Sequence, residues 1–391
     1  MRVVEKASER CLEVAQVVGY SIEGVLSEHA VAVGAEMAAI VDDEIDDPGL
    51  RRAIGYHLGL LDANFRPPPP DRRAGGGKKL RSALVLLAYQ AALVSADAEV
   101  DRGGLDRVLP LAAAIELLHN YSLVHDDIED GDRWRRGRLT LWVVLGEHQA
   151  INVGDCLHAL AFCCLARLAR RGLEPQRATR VAAVMAKASV RLTVGQHQDL
   201  NFERSSETDL ERYAEMIAAK TAALMSAATA CGALIALEAT DSHHQAMFAA
   251  YSRFGHHLGM AFQIRDDILG IWGTQADTGK PSGSDIRRRK KTLPILFALA
   301  HAVPEARARL AAIYERQSPV SAADERAVRE ALEGCNARGF AESETKRYCE
   351  LAVASLVEAG LTEAGRAEAG ERNPFLWRLE QLTMFLARRS S

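Results

Sequence analysis

Alanine and leucine recurring three and four residues apart constrain this chain more than any other feature. The segments LRSALVLLAYQAALV (80–94), VLPLAAAIELLHNYSLVHDDI (108–128), TRVAAVMAKASVRLTVGQHQDL (179–200) and ERYAEMIAAKTAALMSAATACGALIAL (211–237) all show it. Apolar residues at that spacing line one face of a helix, and Ala and Leu are among the better helix formers. Alternating strand patterns bounded by Asn-Gly or Asp-Gly turns are missing from the sequence. An all-α fold is expected. Helices apolar over several turns must bury nearly their whole surface, and association into a homodimer is a natural way to do so. The breaks are short: Pro67 to Pro70 with the glycines at 75–77, Arg102-Gly103-Gly104, Gly131 to Arg138, and Gly273 to Asp285. None is a long linker, so one large helical domain over 1–391 is expected rather than two.

Composition narrows the function classes. Lys+Arg 48 against Asp+Glu 52 gives a net charge of −4, without the basic excess of a general nucleic-acid binder. The seven cysteines are odd in number and form no CxxC pair, which reads as reduced buried thiols and a cytoplasmic location. The N-terminus lacks the apolar core of a signal peptide. The uncharged stretch between Lys220 and Glu238 falls short of the roughly 20 apolar residues of a spanning helix, so no membrane span is expected.

The strongest chemical signal is LVHDDIEDGDRWRRGR (123–138), where Asp126, Asp127 and Asp130 form a DDxxD pattern at the end of an apolar helix. Asp126 and Asp130 share a helix face, and negative charge at a helix C-terminus opposes the macrodipole. An arrangement that costly implies a bound cation, and all-oxygen ligands favour Mg²⁺ alongside substrate phosphates. The run DDEIDDPGLRR (42–52) also fits DDxxD, but it follows a weak Ala/Val segment and Asp47-Pro48-Gly49 reads as a turn, so it is taken as solvated surface. The stretch AFQIRDDILGIWG (261–273) supplies a second pair, Asp266 and Asp267, on another apolar helix. Two acidic helix faces are expected to hold two or three Mg²⁺ ions and to clamp a diphosphate. Cations cluster in the same motifs: Arg135 and Arg136, Lys280 and Lys290 with Asp285 between them, and Lys78 and Arg81 after a glycine run. A helix N-terminus behind that glycine run would add its dipole to the attraction for anions.

At these residues the chain resembles the trans-isoprenyl diphosphate synthases, the polyprenyl synthetase family, over about residues 50–300. GGGKKLR (75–81) resembles its GGKxxR block, and HNYSLVHDDIEDGDRWRRGR its first aspartate-rich motif with the arginine pair. GQHQDL (195–200) and Lys220-Thr221 match its middle blocks, FQIRDDILG its second aspartate-rich motif, and GKPSGSDIRRRKKTLP its closing basic loop. The resemblance implies an all-α bundle around a central cavity, usually dimeric. It also implies Mg²⁺-dependent head-to-tail condensation of isopentenyl diphosphate with an allylic diphosphate. By position, Asp126, Asp130 and Asp266 would ligate Mg²⁺, with Asp127 and Asp267 in support. Arg135, Lys220, Gln263 and Lys280 would hold the allylic diphosphate, with Thr221 in the same block. Lys78, Arg81, His119 and Arg136 would bind isopentenyl diphosphate. His197, His243, His244, His256 and His257 are read as structural.

Two positions depart from the family pattern: Gly270 stands where many members carry a third aspartate, and Leu139 where proline is usual. Ahead of the first motif, Tyr121 and Ser122 lie about 6–7 Å from Asp126 at helical rise. In the family the chain resembles, the product-cavity wall comes from the turn or two before the first motif. The large Tyr121, with Ser122 leaving room and no insertion in the motif, is similar to twenty-carbon synthases, so the resemblance implies geranylgeranyl diphosphate, with farnesyl and longer products as alternatives. A class I terpene cyclase or an inactive helical partner subunit would also be all-α. A cyclase has no use for GGGKKLR, and an inactive subunit would be expected to lose ligands that are present here.

Overall fold

The computed structural model describes residues 22–67, 79–95, 104–204, 208–237, 242–274, 282–316, 318–358 and 373–388. They form sixteen α-helices, one π-helical turn and a two-residue-per-strand hairpin. The chain resolves into two compact units, each assembled from three stretches: 1–185, 227–251 and 357–382 in the first, 186–226, 252–356 and 383–391 in the second.

The first unit opens with α1 (Ile22–Glu44), α2 (Pro48–His57), α3 (Leu80–Ser95) and α4 (Gly104–Glu129). Spacing shows how each is used. In α1 the buried positions Leu26, Val33, Met37 and Ile40 follow one stripe, as a helix on a surface requires. In α3 almost every residue from Ser82 to Ala92 is buried, and in α4 Leu111 to Ile115 are fully buried, so both lie inside the core. The helix α4 packs against α1, α3 and chiefly α6 (Glu147–Arg170), which follows the short α5 (Leu141–Leu145). The hairpin β1 (Trp134–Arg135) and β2 (Arg138–Leu139) stands directly after the acidic end of α4. The second DDxxD lookalike is solvated as expected, with Asp42, Asp43, Asp46 and Asp47 exposed. Asp47 does more than turn the chain: its carboxylate accepts from the Leu50 N–H at 2.6 Å and caps α2.

The helix α7 (Pro175–Arg204) and the later α10 (Ser242–Trp272) each contribute residues to both units. Between them, α8 (Leu210–Ile217) runs through a π-helical turn at Ala218–Ala222 into α9 (Ala223–Ala236). The second unit continues with α11 (Ser284–Arg287), α12 (Leu293–His301), α13 (Pro304–Glu315), α14 (Ala322–Gly334) and α15 (Ala337–Glu358). One of its cores joins Tyr213, Met216 and Ile217 to Met260, Ile264, Ile268, Leu293 and Leu296. The other joins Ile271, Ile286 and Ile295 to Leu310, Ile313, Val328 and Leu332. The stretch 310–341, within the last 90 residues where the sequence shows no motif, therefore packs against the helix of the second aspartate pair. The last helix, α16 (Pro374–Arg388), buries Phe375, Leu376, Leu379 and Leu382.

One sequence expectation needs correction, the burial of every thiol, and the expectation of no membrane span stands beside three apolar helices. Ile22–Glu44, Glu147–Arg170 and Leu210–Ala236 are long and apolar enough to cross a membrane by length and composition alone. The third of these has 83 % of its most apolar window buried within the protein. Small Ala, Ser and Thr side chains let neighbouring helices approach closely, so the same composition also suits a packed core. Among the described cysteines, Cys164, Cys231 and Cys349 are buried free thiols, while Cys156, Cys163 and Cys335 are only half-buried.

Candidate active site

In the first unit the acidic end of α4 separates its carboxylates by exposure. The Asp126 side chain keeps 19 % of its surface and that of Asp127 only 3 %. The helix stops at Glu129, and the Asp130 N–H closes the last turn onto the Asp126 carbonyl at 2.8 Å. Asp127 accepts from Arg135 Nε at 2.6 Å, while Arg135 Nη2 lies 3.4 Å from Asp126 Oδ2. Burial pushes the Asp127 carboxyl up to about 6 against the pull of Arg135.

The arginines are delivered by the hairpin. Arg136 and Gly137 form its two-residue loop, with φ of +51° and +72°. Positive φ at both positions is the type I′ geometry, easy for Gly137 and strained for Arg136, a cost tolerated where a side chain must be aimed. The hairpin is fastened at its base. Arg138 donates to the Leu61 carbonyl at 2.8 Å and lies 4.1 Å over the Tyr56 ring, whose hydroxyl donates to the Leu139 carbonyl at 2.7 Å. Thr140 Oγ1 and Trp142 Nε1 both donate to the Asp132 carbonyl at 2.8 Å, which fixes the turn between helix and hairpin.

At the start of α3, Arg81 Nη1 lies 3.2 Å from His119 Nε2. A guanidinium can only donate, so this imidazole accepts and is neutral. Burial, then Arg81, Arg136 and Arg135, hold its pKa well below the usual histidine range. Glu116 escaped the sequence reading. It is 3 % exposed and accepts from the Ser82 N–H at 3.1 Å, taking up one of the first amides of α3. Its charge also bears on Lys79 and Arg136. A lone glutamate inside LAAAIELL was the available signal. Lys78 and Lys280 lie outside the described residues.

The second unit repeats the division by other means. Asp266 is exposed and Asp267 is 4 % exposed. Asp267 accepts from the Tyr213 hydroxyl at 2.5 Å, the Leu293 N–H at 2.9 Å and Gln263 Nε2 at 3.1 Å. Burial outweighs these donors and raises its pKa to about 7. Gln263 has both ends engaged, because its Oε1 accepts from Thr221 at 2.7 Å. Lys220 stands in the π-helical turn and donates to Asp199 Oδ2 at 2.5 Å. Such bulges re-aim side chains and recur at functional sites. Asp199, from GQHQDL, is a partner the sequence reading did not single out, as is Tyr213.

The missing third aspartate of this cluster has a structural counterpart. A Cβ added at Gly270 would meet Asp285 Oδ2 at 1.9 Å. The Asp285 carboxylate therefore occupies the space that a side chain at 270 would fill, and any residue but glycine would expel it. The RRRKK run is in part structural: Arg287 pairs with Glu325 at 3.0 Å, Arg289 Nε donates to the Ile313 carbonyl at 2.8 Å, and Lys291 to that of Phe202 at 2.6 Å.

Comparison with known proteins decides what these motifs belong to. The polyprenyl synthetase family model matches residues 71–333. The chain belongs to the polyprenyl synthetase family. The enzymes of this family are prenyltransferases, and the matched stretch carries every motif from the arginine of α3 to the basic loop. A geranylgeranyl diphosphate synthase from Mycobacterium tuberculosis is 43 % identical over 60 % of this chain, and the match spans 65 % of that protein. A (2E,6E)-farnesyl diphosphate synthase from Mycobacterium bovis is 36 % identical over 77 % of this chain and 78 % of its own length. Among solved structures, a polyprenyl synthetase from Streptomyces coelicolor A3(2) superposes with a TM-score of 0.77 at 33 % identity, covering 94 % of this chain and 99 % of that one. The sequence-derived assignments of family and all-α fold both hold.

The donor set suits Mg²⁺. Asp126 and Asp130 offer hard oxygen donors one turn apart, with Asp126 partly exposed. Among the described residues no group of three or more His, Cys, Asp or Glu side chains forms a ready-made metal cage. Mg²⁺ is characteristically held by one or two carboxylates plus substrate phosphates rather than by a protein cage, so the residues present fit the ion.

Proposed function

We propose that the protein is a Mg²⁺-dependent prenyltransferase that joins isopentenyl diphosphate head to tail to an allylic diphosphate, giving geranylgeranyl diphosphate. The observation that carries the reading is the acidic end of α4 followed at once by the arginine hairpin, which puts a guanidinium beside two adjacent carboxylates. Asp126 and Asp130, with Asp266, are the Mg²⁺ ligands. When bound, Mg²⁺ neutralises the charge that grows on a departing diphosphate. Asp127 serves as the anchor of Arg135 and Asp267 as the anchor of α8, α10 and α12. Arg135, Lys220 and Lys280 hold the allylic diphosphate, and Gln263 and Thr221 support Asp267. Lys78, Arg81, His119 and Arg136 hold isopentenyl diphosphate, with His119 fixing the Arg81 guanidinium. Residues so fixed lower the barrier by holding two substrates in line and by presenting preoriented charge.

Product length rests on Tyr121. It is 8 % exposed and sits edge-on to His158 of α6, 4.9 Å between ring centroids, with His125 on another side at 5.7 Å. A ring held so closely does not swing aside, which supports a fixed floor and a twenty-carbon product. The relatives include both geranylgeranyl and farnesyl synthases, so the experiment must resolve length. Purified protein given labelled isopentenyl diphosphate with each allylic primer and Mg²⁺ is expected to yield a C20 diphosphate, and none after chelation. Cyclised hydrocarbons would instead establish the cyclase reading, and no turnover the inactive-subunit reading. Tyr121→Ala is expected to shift the product to longer chains. We also propose a homodimer: Val190 and Val194, one turn apart on α7, are 65 % and 47 % exposed. Sedimentation is expected to show twice the chain mass.

A further inference from the structure

Lys79 directly precedes α3 and carries a φ of +41°. Positive φ is uncommon outside glycine, and the strain persists only where the surroundings hold it. The side chain shows what holds it. Lys79 Nζ donates to the Ala30 carbonyl of α1 at 3.0 Å. A Cβ added at Gly34, one turn further along the same helix, would meet that nitrogen at 2.9 Å. The ammonium is seated in the notch that Gly34 leaves on α1.

Three unfavourable choices meet at this one contact. The lysine is left-handed. The notch needs a glycine inside a helix, which is destabilising relative to alanine. The ammonium is drawn out of water, and burial holds its pKa below the usual lysine value against the pull of Glu116. Alanine at 34 and an apolar residue at 79 would avoid two of the three, so the contact calls for an explanation.

What it holds is the first turn of α3. The Lys79 carbonyl accepts from the Ala83 N–H at 3.1 Å and from the Ser82 hydroxyl at 2.9 Å. The Ser82 N–H goes to Glu116 Oε1 of α4 at 3.1 Å, and Arg81 Nη1 lies 3.2 Å from His119 Nε2 of α4. The turn that carries Arg81 is thus fastened to α4 through Glu116 and His119, and to α1 through Lys79.

We propose that Lys79 is a positioning residue for isopentenyl diphosphate: seated on Ala30 beside Gly34, its ammonium fixes the first turn of α3 and with it the approach of Arg81 to substrate. The inference rests on the proposed function in taking Arg81 to be a ligand of isopentenyl diphosphate. The Lys79 ammonium is committed to α1, so it acts through Arg81 rather than on the substrate. Unseating it leaves the turn hinged on α4 alone, and small misplacements of a binding group are costly. Gly34 offers a way to unseat it from the α1 side. Gly34→Ala pushes Nζ off the carbonyl while giving α1 a better helix former, so binding is lost without loss of stability. A contact that served stability alone would show the reverse.

The test compares wild type, Lys79→Met, Gly34→Ala, the double variant and Arg81→Gln as full-length proteins. Affinity for isopentenyl diphosphate is measured by calorimetry, its KM and kcat by steady-state assay, and thermal midpoint by circular dichroism. Lys79→Met keeps an unbranched side chain and removes the donor. It is expected to weaken binding about tenfold and to raise KM in step, with kcat within about twofold of wild type. Gly34→Ala is expected to weaken binding about fivefold at an unchanged or higher midpoint. The double variant is expected to bind no worse than Lys79→Met, because both changes remove the same contact. Wild-type affinity in either single variant, or losses that multiply in the double variant, overturns the proposal. Arg81→Gln identifies which premise fails: if it binds isopentenyl diphosphate like wild type, the assignment of Arg81 has failed and the role of Lys79 falls with it.

Discussion

Two Asp-Asp pairs, Asp126-Asp127 and Asp266-Asp267, end up with the same division of labour by different physics. In each pair the first carboxylate faces outward and the second is buried. Asp127 is satisfied by a charge, the Arg135 guanidinium at 2.6 Å. Asp267 is satisfied by neutral donors alone: a tyrosine hydroxyl, a backbone amide and a glutamine amide. The first arrangement couples the carboxylate to Arg135, the residue proposed to hold substrate. The second ties three helices together and leaves the cations of its unit elsewhere. The doubled aspartate is thus one more exposed carboxylate, the proposed ligand, and one inward anchor, and the anchors do different jobs.

The largest expected effect tests the outward members. Asp126→Ala and Asp266→Ala should each lower kcat/KM about 10³-fold, the scale of removing one preorganised electrostatic contact to developing charge, with little change in unfolding free energy. Steady-state assays beside urea titrations check both halves. Equal loss from Asp127→Asn and Asp267→Asn, at equal stability, would break the outward–inward distinction.

Stability should separate the anchors next. Asp267→Ala strands two buried donors and one half-buried donor, at about 1–3 kcal/mol for each buried one, and is expected to cost roughly 3 kcal/mol in urea. Asp127→Ala leaves Arg135 with Asp126 and should cost less. Acidity sharpens the contrast. Both carboxyls have raised folded pKa values, to about 7 for Asp267 and about 6 for Asp127. The folded protein then holds protons that the unfolded chain has released, so each contribution is present below about pH 4 and is lost as pH rises through the folded pKa. Between pH 6 and 7 Asp267 is the one still titrating. Asp267→Asn should flatten the stability slope there, and Asp127→Asn should flatten it only below 6.

A smaller effect concerns the third carboxylate. The first cluster carries Asp130 in its own sequence, whereas the second borrows Asp285 across a gap that only Gly270 leaves open. Gly270→Asp restores the common family residue yet is expected to destabilise by about 2 kcal/mol, by overpacking against a like charge. Gly270→Asp with Asp285→Ser should recover most of the loss in a double-mutant cycle. Additive losses would show that the two positions do not share the space.

Much of this was legible in advance, and the exceptions have a common cause. Helical period gave the all-α fold, and the motif blocks gave both aspartate pairs, the arginine pair and Lys220. What stayed hidden were the partners. Glu116, Tyr213, Asp199 and Asp285 act through contacts made across the fold, and nothing local marks a tyrosine 54 residues from the aspartate it serves. The hairpin was missed because two-residue strands are too short to alternate. Its Arg136-Gly137 corner passed for a simple break, although a glycine there is the residue a type I′ loop favours.

The smallest expected effect is at Leu139, the other departure from the family pattern. Strand pairing alternates between hydrogen-bonded and non-hydrogen-bonded positions. The Thr140 N–H donates to the Arg133 carbonyl at 3.1 Å, and Trp134 and Leu139 are the next pair toward the loop. That pair falls in the non-hydrogen-bonded class, so the Leu139 N–H is not part of the ladder. Its carbonyl, which receives the Tyr56 hydroxyl at 2.7 Å, survives in proline. The side chain is 36 % exposed, so its loss uncovers little. Leu139→Pro is therefore expected to leave stability within about 0.5 kcal/mol and diphosphate affinity within twofold. A larger loss in either would mean that the hairpin depends on the 139 amide, and that the strain at Arg136 is held by the ladder rather than by the Tyr56 and Arg138 clasp.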